Sequence, residues 1–310
     1  MNNEKLPSYG GQAIIEGVMM RGSQAVAAAM RNPEGEIIVK AEELSGIYKS
    51  SLRNIPLLRG LIILWDALGL GTRYLTISAN LQTGEDEKIE GPALYLTLFT
   101  SFAIAIALFF LAPAALGQLA QNTLQINAWW GNIVEGVVRL LLLILYMWGI
   151  GQMEDIRRVF GYHGAEHKTI NAFEAGVELT PENVSKFSVE HPRCGTAFLL
   201  TLMIISILIF SLFGPMPLLW RLISRILLLP LIAGLSYEYI RWSGNHLDSK
   251  FVQMLIRPNL SLQSLTTREP SKEMLEVAIA SFNAMFERET LLSQQQSLNA
   301  KTIEQPASIS

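Results

Sequence analysis

The chain has 310 residues, half of them apolar, with 16% charged side chains and a mean hydropathy of +0.30. Soluble domains average about 25% charged residues, so these figures exclude a disordered chain, a fibrous chain and a surface-rich soluble enzyme, and they point to a membrane. The net charge of −3 leaves no basic surplus for nucleic acid, and a single cysteine, Cys194, excludes an internal disulfide.

The first twelve residues (MNNEKLPSYGGQ) are polar, so no cleaved secretory signal is expected. The run Gly10–Gly22 (GGQAIIEGVMMRG) is punctuated by glycine but lacks the Gly-Lys-Ser/Thr ending of a phosphate-binding loop. It reads as a short strand with tight turns, or more sharply as a segment that approaches a later histidine loop and lends it Glu16 or Arg21. Residues 24–30 and 36–41 flank Asn32-Pro33-Glu34-Gly35 and predict a β-hairpin, with Pro and Gly where a turn needs them. Between residues 55 and 79, Arg59, Asp66 and Arg73 recur every seven residues and form one charged stripe beside an apolar face. A helix of that kind lies in a membrane interface rather than crossing it; an amphipathic helix on a small soluble domain fits the same pattern.

A spanning helix needs about 20 mostly apolar residues. Four stretches qualify: 94–117, 133–152, 197–214 and 218–240. Lys and Arg number nine in 1–93, none in 118–132, five in 153–196 and seven in 241–310. Four spans place every basic-rich segment on the cytoplasmic side, so a multi-pass protein of the cell membrane with both termini inside is expected. Glu135 and Arg139, four apart in the second span, are expected to form a structural ion pair, with Arg221 or Arg225 as further partners. These charges fall near span ends, which fits transport poorly. Residues 270–289 put Met274, Leu275, Ala278, Ile279, Phe282, Met285 and Phe286 on one helical face, with Ser271 as its cap. The expected fold is therefore mainly α. A cytoplasmic region 1–92 holds the hairpin and the interfacial helix. A four-span domain, 93–240, carries a cytoplasmic histidine loop, 153–196. A helical region, 241–289, precedes a polar tail, 290–310, expected to be disordered.

The four histidines are His163, His167, His191 and His246, and three of them share one loop with the cysteine. His163-Gly164-Ala165-Glu166-His167 fits H-x-x-E-H, the inverted form of the zincin motif. Residues four apart sit one turn apart on a helix face, so both imidazoles reach one ion. Glu166 lies beside them in a position suited to a general base acting on water at the metal. The flanking residues predict a helix from about Met153 to Ala175, stopped by Gly176; Gly161 and Gly164 weaken it and could admit a close-packed neighbour. Glu174 sits seven residues after His167, too far along the axis to share the same ion directly. Two sources compete for a further ligand: His191 and Cys194 just before the third span, and Glu238 at the cytoplasmic end of the fourth. Plainer readings stand beside each: a hydrogen-bonded histidine pair, a buried apolar cysteine, and a glutamate paired with a nearby cation.

Five separated motifs resemble those of the YqhQ-like family of bacterial membrane proteins of unknown function: GGQAIIEGVMMRG (10–22), YHGAEHKTINAFE (162–174), EHPRCGTAF (190–198), SYE (236–238) and SLTTREP (264–270). The resemblance runs from about residue 8 to 289. It implies a predicted metal-dependent enzyme, a label that rests on the histidine motif, with no established reaction. The family's motifs fall on His163, Glu166 and His167, then on His191 and Cys194, then on Glu238. Asn259 stands where the family pattern has Gly, which touches only the local turn.

The leading expectation is a zinc-dependent hydrolase at the cytoplasmic face. His163 and His167 would bind the ion, Glu166 would activate water, and Glu238, His191 or Cys194 would complete the shell. Membrane lipid is an expected partner. The rival expectation is a non-enzymatic scaffold or assembly factor whose histidine cluster is structural and whose helices 55–79 and 270–289 dock proteins. An open coordination position separates the two, since structural zinc sites are closed.

Overall fold

The computed structural model describes residues 9–44, 55–83 and 91–304. The polar start up to residue 8 and the last six residues of the expected tail lie outside the described residues. The chain is mainly helical, with an N-terminal antiparallel meander: β1 Gly10–Ile14, β2 Gly17–Arg21, β3 Ala25–Arg31 and β4 Ile37–Glu43, in that order across the sheet. The expected hairpin is its β3–β4 half. Its turn is held by Asn32, whose side-chain oxygen accepts from the Glu36 amide at 2.7 Å. The glycine-punctuated run makes two strands rather than one, joined through Ile15 and Glu16.

Both faces of the sheet are covered. Val18, Met20, Ala27 and Ala29 face α5 (Glu154–Glu174) and α11 (Lys272–Glu304). Ile14, Met19, Val26, Ala28 and Met30 face α1 (Leu58–Gln82) through Leu70 and Tyr74. Strands buried on both faces read as continuous apolar runs, which is why AVAAAM shows no alternation. Its small alanines let helices approach closely from both sides. The apolar stripe of α11 is taken up inside the chain, with Leu275, Ala278, Phe282 and Met285 all buried against the sheet and α5. This helix continues to Glu304, so residues 290–304 are helical rather than a disordered tail.

The apolar part departs from four clear spans. By length and composition two helices could cross a bilayer: the continuous Gly91–Leu124 and α4 (Ala128–Ile150). The first comprises α2 (Gly91–Ile106), a π-helical turn (Ala107–Leu111) and α3 (Ala112–Leu124). A third candidate is the pair α8 (Leu218–Leu227) and α9 (Leu229–Gly244), bent by 43°. The expected span 218–240 breaks there because Pro230, in the first turn of α9, has no N–H to continue the ladder. The expected span 197–214 is α7 (Gly195–Ser211), an apolar helix of 17 residues. That length rises about 25 Å at 1.5 Å per residue, short of a hydrocarbon core of about 30 Å. A four-residue helix, α6 (Pro181–Val184), precedes it, and α10 (Lys250–Gln263) follows α9. Asn259 lies inside α10 and donates to Thr201, so its position is helical and not a turn.

The expected ion pair forms and is larger than a pair. Glu135 meets Arg139 at 2.8 Å, Arg225 at 2.8 Å and Arg221 at 3.2 Å, and all four are buried. Arg139 lies halfway along α4 rather than near its end. The π-helical turn explains its accommodation: the Phe109 carbonyl in that turn accepts from Arg139 Nε at 2.9 Å.

Candidate metal centre

α5 forms where the sequence places it. Met153 is its N-cap, Glu154 and Asp155 complement the helix dipole in the first turn, and Gly176 takes φ +70° beyond the last turn. The Gly176 and Val177 amides donate to the Phe173 and Ala172 carbonyls, the bonding pattern of a Schellman stop. The helix brings the His163 and His167 rings together, 4.4 Å between centroids.

Each ring is oriented by a backbone carbonyl. His163 Nδ1 donates to the Thr266 carbonyl at 2.8 Å, and His167 Nδ1 donates to the Val189 carbonyl at 2.5 Å. A carbonyl can only accept, so a proton sits on each Nδ1 and Nε2 is the ring nitrogen turned toward the cluster. His163 Nε2 lies 3.2 Å from Cys194 Sγ. His167 Nε2 is buried without a hydrogen-bond partner. The ligand atoms of His163, His167 and Cys194 all lie within 4.8 Å of one another, close enough to converge on one ion. Cys194 is the N-cap of α7, its sulfur accepting from the Thr196 amide at 3.4 Å. The positive end of that helix complements the negative charge of a coordinated thiolate. Two imidazoles and a thiolate are a donor set that suits zinc.

The surrounding chain is laced to α5. Lys168 and Asn171 donate to carbonyls of Ser185, Ser188 and Glu190, which with the His167 bond holds the approach to His191. Gly164 has no room for a Cβ, since the Arg268 carbonyl occupies that space. Segment 264–270 therefore lies flat on the helix and presents the Thr266 carbonyl to His163.

Glu166 is buried, at 5% exposure, but does not join the three ligand residues. It faces β1, where the Gly11 amide donates to it and where a Cβ on Gly11 would collide with its side chain. Burial pushes its carboxyl up to about 7, against the opposing pull of His163 and the Gly11 amide. The N-terminal run thus reaches α5 as its sharper reading expects, through Gly11 and also Glu16. The Glu16 carboxylate receives two bonds from Arg158 at 2.6 Å and one from the Tyr162 hydroxyl. The Arg158 bonds hold Glu16 below the usual carboxylate range despite partial burial.

His191 is buried beside the cluster, its ring 5.6 Å from that of His167. Its Nε2 has no hydrogen-bond partner and lies 3.9 Å from the Glu174 carboxylate, which Arg193 grips. Burial lowers the His191 pKa, and Glu174 offsets that only in part. Glu174 thus touches the site through His191, not through the ligand atoms. Glu238 is not brought to the cluster. Arg59 Nε donates to it at 2.7 Å, with a second bond from the same guanidinium, and the Leu57 amide caps onto it at 3.1 Å. His246 also stays apart, exposed and bonded to the Trp242 carbonyl. Gln263 is the residue that motif reading misses. Fully buried, it accepts from the His191 amide at 3.0 Å and donates to the His191 carbonyl at 2.7 Å. A neutral amide holding backbone carries no spacing signature; its only signal is its place beside SLTTREP.

A family model described as "Protein of unknown function (DUF1385)" matches residues 55–288. The chain is 36% identical over 313 residues to "Uncharacterized protein YqhQ" of Bacillus subtilis (strain 168), covering 96% of this chain and 98% of that relative. No solved structure matches the chain.

Proposed function

The chain belongs to the DUF1385 family of proteins of unknown function, and from that premise we propose that it is a zinc-dependent hydrolase whose site lies at the cytoplasmic face of the cell membrane. The observation that carries this reading is the convergence of His163 Nε2, His167 Nε2 and Cys194 Sγ, with both rings pre-oriented through Nδ1. Three protein ligands leave a tetrahedral ion one open position, the mark of a catalytic rather than a structural site. Zinc bound there supplies a Lewis acid that makes water nucleophilic near neutral pH. The chain supplies the rest. Thr266 and Val189 fix the rings, the start of α7 faces the sulfur, and Glu166, with a carboxyl near 7, would be the group to hold a proton released at the site. His191, its ring 5.6 Å from that of His167, is a further imidazole close to the cluster. The basic-residue pattern supports a site on the inner side, at the foot of apolar α7, and both termini share that side when short α7 crosses together with the bent α8–α9 pair. A peptide or a lipid-linked group at that interface is the substrate class that fits.

A scaffold with a structural ion is the second reading. The position of Glu166 favours it, because that carboxylate leans on Gly11 instead of joining the ligand atoms. Metal analysis of the detergent-purified protein tests the first step. One zinc per chain is expected, lost in a His163→Ala/His167→Ala variant. No metal in either protein after zinc addition ends the metal reading. Retained zinc with unchanged turnover in Glu166→Gln removes Glu166 as the base.

A further inference from the structure

Away from the histidines, the apolar helices enclose a second polar cluster. Arg139, Arg221 and Arg225 are each 3% exposed or less, and the only carboxylate among them in the described residues is Glu135. Their other partners are neutral: Asn132, Gln118, Ser206, Ser224 and the Phe109 carbonyl. Among the described residues, two positive charges are therefore left without a counter-charge. The face of Phe210 lies 4.2 Å from the Arg225 guanidinium and softens this, but an aromatic ring does not neutralise a cation.

The hydrogen-bond count points the same way. A guanidinium carries five N–H groups. Among the described residues, acceptors serve three on Arg139, three on Arg221 (one of them the Glu135 ion-pair contact) and four on Arg225, ten of the fifteen. A buried excess of charge and of donors is the chemistry that binds an anion, and guanidinium groups match phosphate oxygens in geometry. Arg139 lies deeper, halfway along α4, but one rim of the cluster, Asn132 and Arg221, also lies at a suitable level. Trp129, Trp130 and Trp220 are exposed beside it, with Asn132 two residues beyond Trp130 and Arg221 next to Trp220. Exposed tryptophans of membrane helices sit at headgroup height. Half-buried Gln118, bonded to Arg221 at 3.1 Å, marks the edge of the cluster toward the surroundings.

We propose that Arg139, Arg221 and Arg225, with Asn132, form a seat for a phosphate-bearing anion, supplied either by a phospholipid headgroup or by free phosphate. The seat is separate from the histidine centre. It rests on the reading that α4 and α8 lie in a bilayer, not on any hydrolase activity.

Thermal unfolding of the detergent-purified full chain tests it, with phosphatidylglycerol, phosphatidylcholine or inorganic phosphate added to the micelles. A rise in Tm with phosphatidylglycerol alone assigns the seat to a lipid headgroup; a rise with inorganic phosphate assigns it to the free anion. Gln118→Glu places a carboxylate on Arg221, so it should raise the ligand-free Tm and weaken binding at least about tenfold, the scale of one charged hydrogen bond. Arg221→Gln should weaken binding to a similar degree; if it does not fold, Gln118→Glu decides alone. No stabilisation by any of the three additives overturns the proposal. So does an equal response to net-neutral phosphatidylcholine, or a wild-type response in Gln118→Glu.

Discussion

Glu166→Gln isolates what the fold imposes on one carboxyl. The wild-type side chain is 5% exposed, and burial raises its pKa from 4.5 to about 7. Between those values the native state holds a proton that the unfolded state releases. This group's contribution to stability is therefore greatest below about pH 4.5, falls as pH rises to about 7, and is level above. A rise of about 2.5 units at about 1.4 kcal/mol per unit costs roughly 3 kcal/mol at pH 8. Glutamine keeps an oxygen for the Gly11 amide and carries no charge, so it escapes that cost. Relative to wild type, the variant should gain roughly 3 kcal/mol between pH 4.5 and pH 8, or several degrees in Tm for a chain of this size. The assay is thermal unfolding in detergent with a chelator present, both proteins at both pH values. Zinc should shrink the difference, because a cation near His163 favours the ionised carboxylate. A Tm difference that does not move with pH refutes the reasoning.

Three further outcomes follow from packing and charge. Gly164→Ala should destabilise by about 1–3 kcal/mol, because the new methyl meets the Arg268 backbone, whereas Gly69→Ala, exposed in α1 with nothing near it, should stabilise by up to about 1 kcal/mol. Equal effects in denaturation would contradict this. Glu135→Gln leaves three buried arginines with no carboxylate among the described residues and should cost about 3–5 kcal/mol, against about 1 kcal/mol for Glu238→Gln in its part-exposed pair; the ranking is read from yield and Tm. Arg158→Gln should lower stability at pH 7, with the deficit fading as the pH falls through the depressed Glu16 value, since a protonated Glu16 no longer needs its partner. A deficit that persists in acid counts against that pair.

What the sequence made legible was local. Helix α5 could be placed within a residue at each end because its stop is a glycine and its faces repeat at helical spacing. His163 and His167 follow from that placement, and the Glu135–Arg139 pair follows from the same four-residue spacing on α4. Cys194 followed from order along the chain, being next to an apolar helix start. Non-local geometry was not legible. Nothing in the spacing of Arg59 and Glu238 says that they face each other, and an ionisable residue in an apolar stretch looks like a ligand until its cation is found. The sheet was half visible, because β2 buries apolar residues on both faces, Val18 and Met20 on one and Met19 on the other, and so lacks the alternation that marks a strand. The break at Leu228 was hidden for a related reason: hydropathy counts residues and ignores where Pro230 interrupts the ladder.

The two halves of the chain meet at the candidate centre, and its ligands are divided between them. His163 and His167 belong to the helix that packs on the sheet, while Cys194 opens apolar α7. Thr266 and Gln263, at the end of α10, supply the backbone and amide contacts that hold the histidine side in place. An ion bound here would tie the sheet layer to the apolar helices at one point. The site therefore reports on how these parts are docked, and docking in turn sets the distance between Sγ and the two Nε2 atoms. On this geometry, loosening α7 should release metal before it unfolds α5, because only one of the three ligands would move.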